Sequence, residues 1–172
     1  VPLNAAWRQL VQFAARYYQR SLGEVALAAL PPQLRDLDAA QLARRLKRHG
    51  KAAALAPGAD SGATFQVPPS SPEQAEVLAA LPGATEPVLL FGATGSGKTE
   101  VYLRATEDAL AADPAAQALV MVPEINLTPQ LEARFRERFG ARFGEAAVVA
   151  MHSGMTPAQR LGSWLAAHSG QA

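Results

Sequence analysis

Residues 88–100 read VLLFGATGSGKTE. Four apolar residues run directly into a glycine-rich loop that closes on a lysine and a hydroxyl, and this order decides the fold class. GATGSGKT, Gly92 to Thr99, satisfies GxxxxGK[ST] between an apolar run and a helical pattern, the context that gives this spacing its meaning. Glycines at 92, 95 and 97 let the backbone wrap closely around phosphates, with its N–H groups and a helix N-terminus aimed at negative charge. Ala93, Thr94 and Ser96 complete the cradle. Lys98 is placed to reach the β- and γ-phosphates and Thr99 to offer its hydroxyl to Mg²⁺, so ATP and Mg²⁺ are the expected cofactors. A chance match in an ordinary glycine-rich turn is the competing reading, and both flanks argue against it.

Working outward, Ser71, Pro72 and Gln74 start a helix, and VLLF at 88–91 reads as a short buried strand. The loop leads into a helix through Val101, Tyr102, Ala105 and Ala109. ALVMV at 118–122 is a second expected strand, and Thr128 and Pro129 open a helix with Leu131, Phe135 and Phe139 on one face, closed by Gly140. AAVVAM at 146–151 is a third expected strand, and Thr156, Pro157 and Gln159 cap a last helix. Strands alternating with helices predict an α/β lobe built on a parallel sheet with right-handed crossovers.

Residues 1–56 have a different grain. Asn4 caps a helix over 4–18 with Trp7, Leu10, Val11, Ala14 and Tyr18 at helical spacing. Ser21 with Glu24 opens a second helix that Pro31 and Pro32 stop. Asp38 with Gln41 opens a third, expected to turn Leu42 and Leu46 inward and to end near Gly50. PGADSGATFQVPPSS, 57–71, reads as a linker. Trp7, Tyr17 and Tyr18 either pack in the module's core or stack on nucleic-acid bases, and the apolar spacing of Trp7 and Tyr18 favours the core.

The 172 residues carry 16 Lys/Arg and 15 Asp/Glu, a net charge of +1 that by itself identifies no partner. The distribution is more informative: residues 1–60 hold nine basic against four acidic side chains, and residues 61–172 hold seven against eleven. The basic helix from Arg44 to Lys51 is either a DNA-phosphate surface or a solvated face. With no cysteine and three scattered histidines (His49, His152, His168), disulfides and thiolate metal sites are excluded from these residues. No apolar run reaches the length of a membrane span, and no secretory signal is visible, so a cytoplasmic location without a membrane partner is expected.

VLLFGATGSGKTEVYL, ALVMVPEINLTPQ and VVAMHSGMTPAQRLGSW resemble successive motifs of the PriA family of replication-restart DNA helicases (primosomal protein N′), within superfamily 2. ARYYQRSLGEVALAALPPQLR resembles the winged-helix segment that precedes the motor in that family. The resemblance covers most of the chain. It implies a RecA-like P-loop lobe over 72–172 after a small winged-helix-like module, and an ATP-driven 3′ to 5′ bacterial helicase that remodels stalled forks and promotes primosome assembly. Its implied partners are forked and single-stranded DNA, replication-restart and primosome proteins, and single-stranded DNA-binding protein. It places Gln74 at the adenine, a role compatible with a helix cap. Pro123, Glu124, Thr128 and Gln130 fall in the motif that tracks the single strand, and His152, Ser153 and Gly154 where the lobe approaches DNA; read without the family, these are a helix start and a structural turn.

The sequence departs from the family at Asn126, where glycine is expected, and the segment between Arg35 and Asp38 is short for a full winged helix. No DEEH-type acidic motif, zinc-binding cysteines, second motor lobe or N-terminal 3′-end-binding domain is found. The expectation is a fragment ending before the acidic motif, with zinc only in other parts of the parent protein. Glu124 is the one candidate for the metal-holding acid at a strand end, against a loop or substrate contact, because Pro123 separates it from the apolar run. The rival readings are another superfamily 2 DNA translocase and a nucleotide-binding module without chemistry.

Overall fold

The computed structural model describes residues 3–54, 68–113, 115–122 and 128–172, with the side chains of 48–54 and 128 excepted. Pro123, Glu124, Asn126 and the 57–67 part of the expected linker lie outside the described residues. The first three helices begin where the sequence places their caps. Asn4 Oδ1 accepts from Trp7 N at 2.8 Å and opens α1 (Ala5–Tyr17). Ser21 Oγ accepts from Glu24 N and opens α2 (Leu22–Ala28). Asp38 and Gln41 cap each other reciprocally at 2.7 and 3.2 Å and open α3 (Ala39–Ala54). Each cap satisfies N–H groups that the first helical turn leaves without partners. Helix α3 does not stop at Gly50 as expected but continues to Ala54. A glycine lowers helix stability by about 1 kcal/mol without being a stop in itself.

Between α2 and α3, Pro32–Asp36 forms a single 3₁₀ turn. This turn and α3 both pack on α7 (Pro157–His168), and α3 also meets the 3₁₀ turn Glu145–Ala147. The helical module is therefore held against the last helix of the lobe. Leu161, Leu165 and Ala166 on α7 are buried, Leu165 completely. A cleft of about 520 Å³ opens beside it, lined by Leu27, Leu30, Pro31, Arg35, Met151 and Trp164.

Helix α1 differs from its expected packing. Val11 and Ala15 are buried and Trp7 is half-buried, but Leu10 and Tyr18, expected to share that inward stripe, are 64% and 68% exposed. Tyr17 is exposed as well and stacks on Phe13. Helix α1 packs on α2. One contact face cannot cover an apolar surface that spreads around much of the helix.

The lobe contributes α4 (Pro72–Ala80), α5 (Lys98–Ala112) and α6 (Thr128–Phe143). The capping box at the start of α4 is complete in both directions, through Ser71 and Gln74. Helix α6 carries Phe135, Phe139 and Phe143 in a row of ring contacts at 5.6 and 6.2 Å, and it passes the expected stop at Gly140 to end at Phe143. Arg138 on α6 is 6% exposed, and its guanidinium lies 2.8 Å from Glu107 and 3.5 Å from Glu100, both on α5.

The expected sheet is not seen among the described residues. No strand ladder occurs among the described residues: 88–91 and 118–122 have no regular hydrogen-bonded structure, and 146–147 lie in the 3₁₀ turn. Leu89 (86% exposed), Phe91, Leu119 and Met121 stand in solvent rather than in a core. The cause is physical. A buried strand needs neighbours on its edges and layers on its faces, and these three runs do not pair with one another here.

Leu165→Ala is expected to destabilise the chain by about 2–5 kcal/mol in urea unfolding, because it empties a fully enclosed position. Leu10→Ala, on the exposed face of α1, is expected to stay within about 0.5 kcal/mol.

Candidate functional site

The glycine-rich loop is built as a single turn into α5. Gly97 is the N-cap of that helix with φ +82°, and Gly95 has φ +84°, both in the left-handed region that side chains disfavour. At Gly92 a Cβ would lie 2.8 Å from Ser96 Oγ, so that hydroxyl would have to turn away. No side chain caps α5, so its first turn and the positive end of its dipole face the loop.

Lys98 folds back across the loop it follows. Its Nζ donates to the carbonyl oxygens of Gly92 and Ala93, each at 2.7 Å. The ammonium is thereby held against the first two residues of the loop. Thr99, half-buried beside it, supplies one hydroxyl. Mg²⁺ retains several waters and relies on substrate phosphates for further ligands, so a single protein hydroxyl fits its usual mode of binding. Among the described residues there is no cluster of His, Cys, Asp or Glu that would hold a metal without the nucleotide.

Glu100 stands in the first turn of α5, where its charge would oppose a bound polyphosphate. Two guanidiniums compensate it: Arg104 Nε at 2.8 Å and Arg138 Nη1 at 3.5 Å. Arg104 also donates to the carbonyl of Pro68, tying the chain before α4 to α5. The importance of Arg138 was not legible in the sequence, because its partners lie 31 and 38 positions away. The i,i+4 spacing of Glu100 and Arg104 was the only local signal.

Gln74 reaches the loop from α4. Its Oε1 accepts from Ser71 N at 2.9 Å and its Nε2 donates to Gly97 O at 3.2 Å. Nearby, the Ser71 hydroxyl donates to Glu73 at 2.8 Å and holds that carboxyl below its ordinary pKa. The structure thus brings together Gln74 and residues 92–99.

The other expected site residues are placed separately. Thr128 is the first residue of α6 and Gln130 is exposed in its first turn. His152, Ser153 and Gly154 form the turn before α7, with His152 O accepting from Met155 N at 3.3 Å. His152 is half-buried, and a Cβ on Gly154 would approach its Nδ1 to 3.2 Å. The 520 Å³ cleft beside α7 takes no lining residue from the loop.

A DEAD/DEAH box helicase family model matches residues 71–168, more than half of the chain and all of the loop–helix unit just described. The chain belongs to that family. It is also similar to proteins named Replication restart protein PriA, as the sequence motifs led one to expect. One from Rickettsia conorii is 35% identical over 144 residues, 81% of this chain and 20% of that protein. One from Haemophilus influenzae is 48% identical over 83 residues, 48% of this chain and 10% of that protein. One from Bacillus subtilis is 46% identical over 80 residues, 46% of this chain and 9% of that protein. The chain therefore spans at most about a fifth of the length of these relatives. No solved structure matches it.

Gly97→Ala is expected to lower the thermal midpoint more than Gly95→Ala. Both substitutions force a left-handed φ on alanine, but only at 97 would the new Cβ fall 2.3 Å from a side-chain atom, Gln74 Nε2. Differential scanning fluorimetry of the two variants checks the order.

Proposed function

We propose that this chain is the nucleotide-phosphate-binding part of an ATP-dependent 3′ to 5′ DNA helicase that recognises and remodels stalled replication forks and promotes primosome assembly. One observation carries the reading: a GxxxxGK[ST] loop whose lysine folds back onto the carbonyls of Gly92 and Ala93, in a chain of the DEAD/DEAH box helicase family. Lys98 and the amides of Gly92–Thr99 bind the β- and γ-phosphates, and Thr99 contributes to the shell of the Mg²⁺ that would arrive with the nucleotide. Bound Mg²⁺ supplies charge neutralisation for phosphoryl transfer. The paired state of Glu100 keeps that corner of the site from repelling the phosphates.

The apolar runs at 88–91, 118–122 and 146–151 are read as strands of a RecA-like parallel sheet that pair in the whole protein. Pro123, Glu124, Thr128 and Gln130, with His152, Ser153 and Gly154, are read as the DNA-contacting residues. The partners are forked and single-stranded DNA, primosome proteins and single-stranded DNA-binding protein, in the bacterial cytoplasm. No helix among the described residues is long and apolar enough to cross a membrane.

Calorimetry of the chain with ATP or ADP and Mg²⁺ tests the nucleotide site: Lys98→Ala is expected to weaken binding about tenfold or more, and equal binding by both proteins refutes the assignment. In a phosphate-release assay the chain alone is expected to show no turnover with or without forked DNA, because Thr99 is a single metal ligand and phosphoryl transfer also needs an acid and a cationic group. Turnover abolished by both Lys98→Ala and Glu124→Ala would instead assign the acid to Glu124.

DNA binding is expected to be weak and salt-sensitive, following the basic surplus of residues 1–60. In fluorescence anisotropy with a single-stranded oligonucleotide, joint substitution of Arg44, Arg45 and Lys47 by alanine should flatten the salt dependence. An unchanged slope moves the contact to the lobe.

A further inference from the structure

We infer that Arg138 is a positioning residue of the nucleotide site: from α6 it holds the Glu100 carboxylate away from the end of α5 that receives the phosphates. The inference rests on the nucleotide reading of residues 92–99 and extends it to a residue outside the loop. Glu100 directly follows Thr99 and belongs to the first turn of α5, where its N–H donates to Gly97 O at 3.0 Å. An anionic side chain there is drawn to the positive end of the helix dipole, the end that no side chain caps and that faces the loop. A carboxylate free to turn that way would compete with phosphate for the same amides.

Two guanidiniums hold one oxygen of that carboxylate: Arg104 Nε lies 2.8 Å from Glu100 Oε1, and Arg138 Nη1 lies 3.5 Å from it. They are unequal. Arg104 stands one turn along on the same helix with its side chain 21% exposed, and part of its guanidinium is committed to the carbonyl of Pro68. Arg138 comes from a different helix with its side chain 3% exposed, so solvent and salt screen it least. Its other arm is anchored, since Nη2 donates to Glu107 Oε2 at 2.8 Å, two turns farther along α5. A planar guanidinium tied on both sides fixes the direction of Glu100 as well as offsetting its charge.

Calorimetry on the full 172-residue chain, with each protein shown to be folded by circular dichroism, compares wild type, Arg138→Met, Glu100→Gln and the double variant. The probes are the Mg²⁺ complexes of ATP and of inorganic tripolyphosphate. Arg138→Met keeps the length of the side chain and removes its charge; it is expected to weaken both ligands by about three- to tenfold, the effect of one poorly screened charge. Glu100→Gln alone is expected to stay within about twofold of wild type, because the carboxylate is already held off. The double variant is expected to recover to within about twofold of wild type, since no carboxylate remains to be released. A brace that merely joined α5 to α6 would not be rescued in this way. A loss for Arg138→Met that persists undiminished alongside Glu100→Gln overturns the inference, as does no loss for either ligand.

If Arg138→Met fails to fold, Arg138→Met/Glu107→Gln, which removes one charge of each sign from the cluster, carries the same comparison with and without Glu100→Gln. Absence of binding by the wild type, or equal binding by Lys98→Ala, overturns the nucleotide reading and the role of Arg138 with it. An Arg138 result against the inference, with Lys98→Ala still weakened, leaves that reading standing.

Discussion

A guanidinium removed from water must be matched by charge, and Arg138 is where the lobe meets that demand. It is 6% exposed and set between Glu100 and Glu107 on the neighbouring helix. Losing its carboxylate partners would leave a buried charge uncompensated, which typically costs about 3–5 kcal/mol. The requirement joins α6 to α5 in one register. Glu100 stands one residue past Thr99, so the same ion pairs that join the helices also govern the charge at the mouth of the phosphate loop. Arg142 extends the cluster to a second contact with Glu107 at 3.6 Å.

From that point two ties converge on the start of α5. Arg138 and Arg104 hold Glu100 from the side of α6 and of the chain before α4, and Gln74 holds Gly97 from α4. Gly97 and Glu100 are three positions apart, and Lys98 and Thr99 lie between them. A short anion-binding turn thereby becomes a part whose position answers to two neighbouring helices, which matters because hydrogen-bond donors stabilise developing charge best when already oriented. The N-terminal module meets the lobe elsewhere, on α7, and that helix follows the His152–Gly154 turn.

Helix starts were the most legible part of the chain. Asn4, Ser21, Asp38, Ser71 and Thr156 all act as the N-caps their side chains imply, because a cap involves groups only a few positions apart. Helix ends were less so: Gly50 and Gly140 look like stops and are traversed. The inward stripe of α1 was read too broadly, since periodicity identifies an apolar face but not how much of it a neighbour covers. The apolar run at 88–91 reads as a buried strand and that at 118–122 as a strand, yet Val88, Leu89, Phe91, Leu119, Val120 and Met121 stand exposed, for the related reason that strand burial belongs to the neighbours.

The sequence by itself determined the GxxxxGK[ST] loop with its glycines, Lys98 and Thr99, and the family to which the chain belongs. Those features are local: backbone freedom at Gly95 and Gly97 and a lysine one residue past the pivot are set within eight consecutive positions. Only the tertiary structure decided that Gln74 closes on Gly97, that Arg138 compensates Glu100, and that α3 and the Pro32–Asp36 turn rest on α7. Each joins residues far apart in the chain, and which distant groups meet follows from packing rather than from spacing along the backbone.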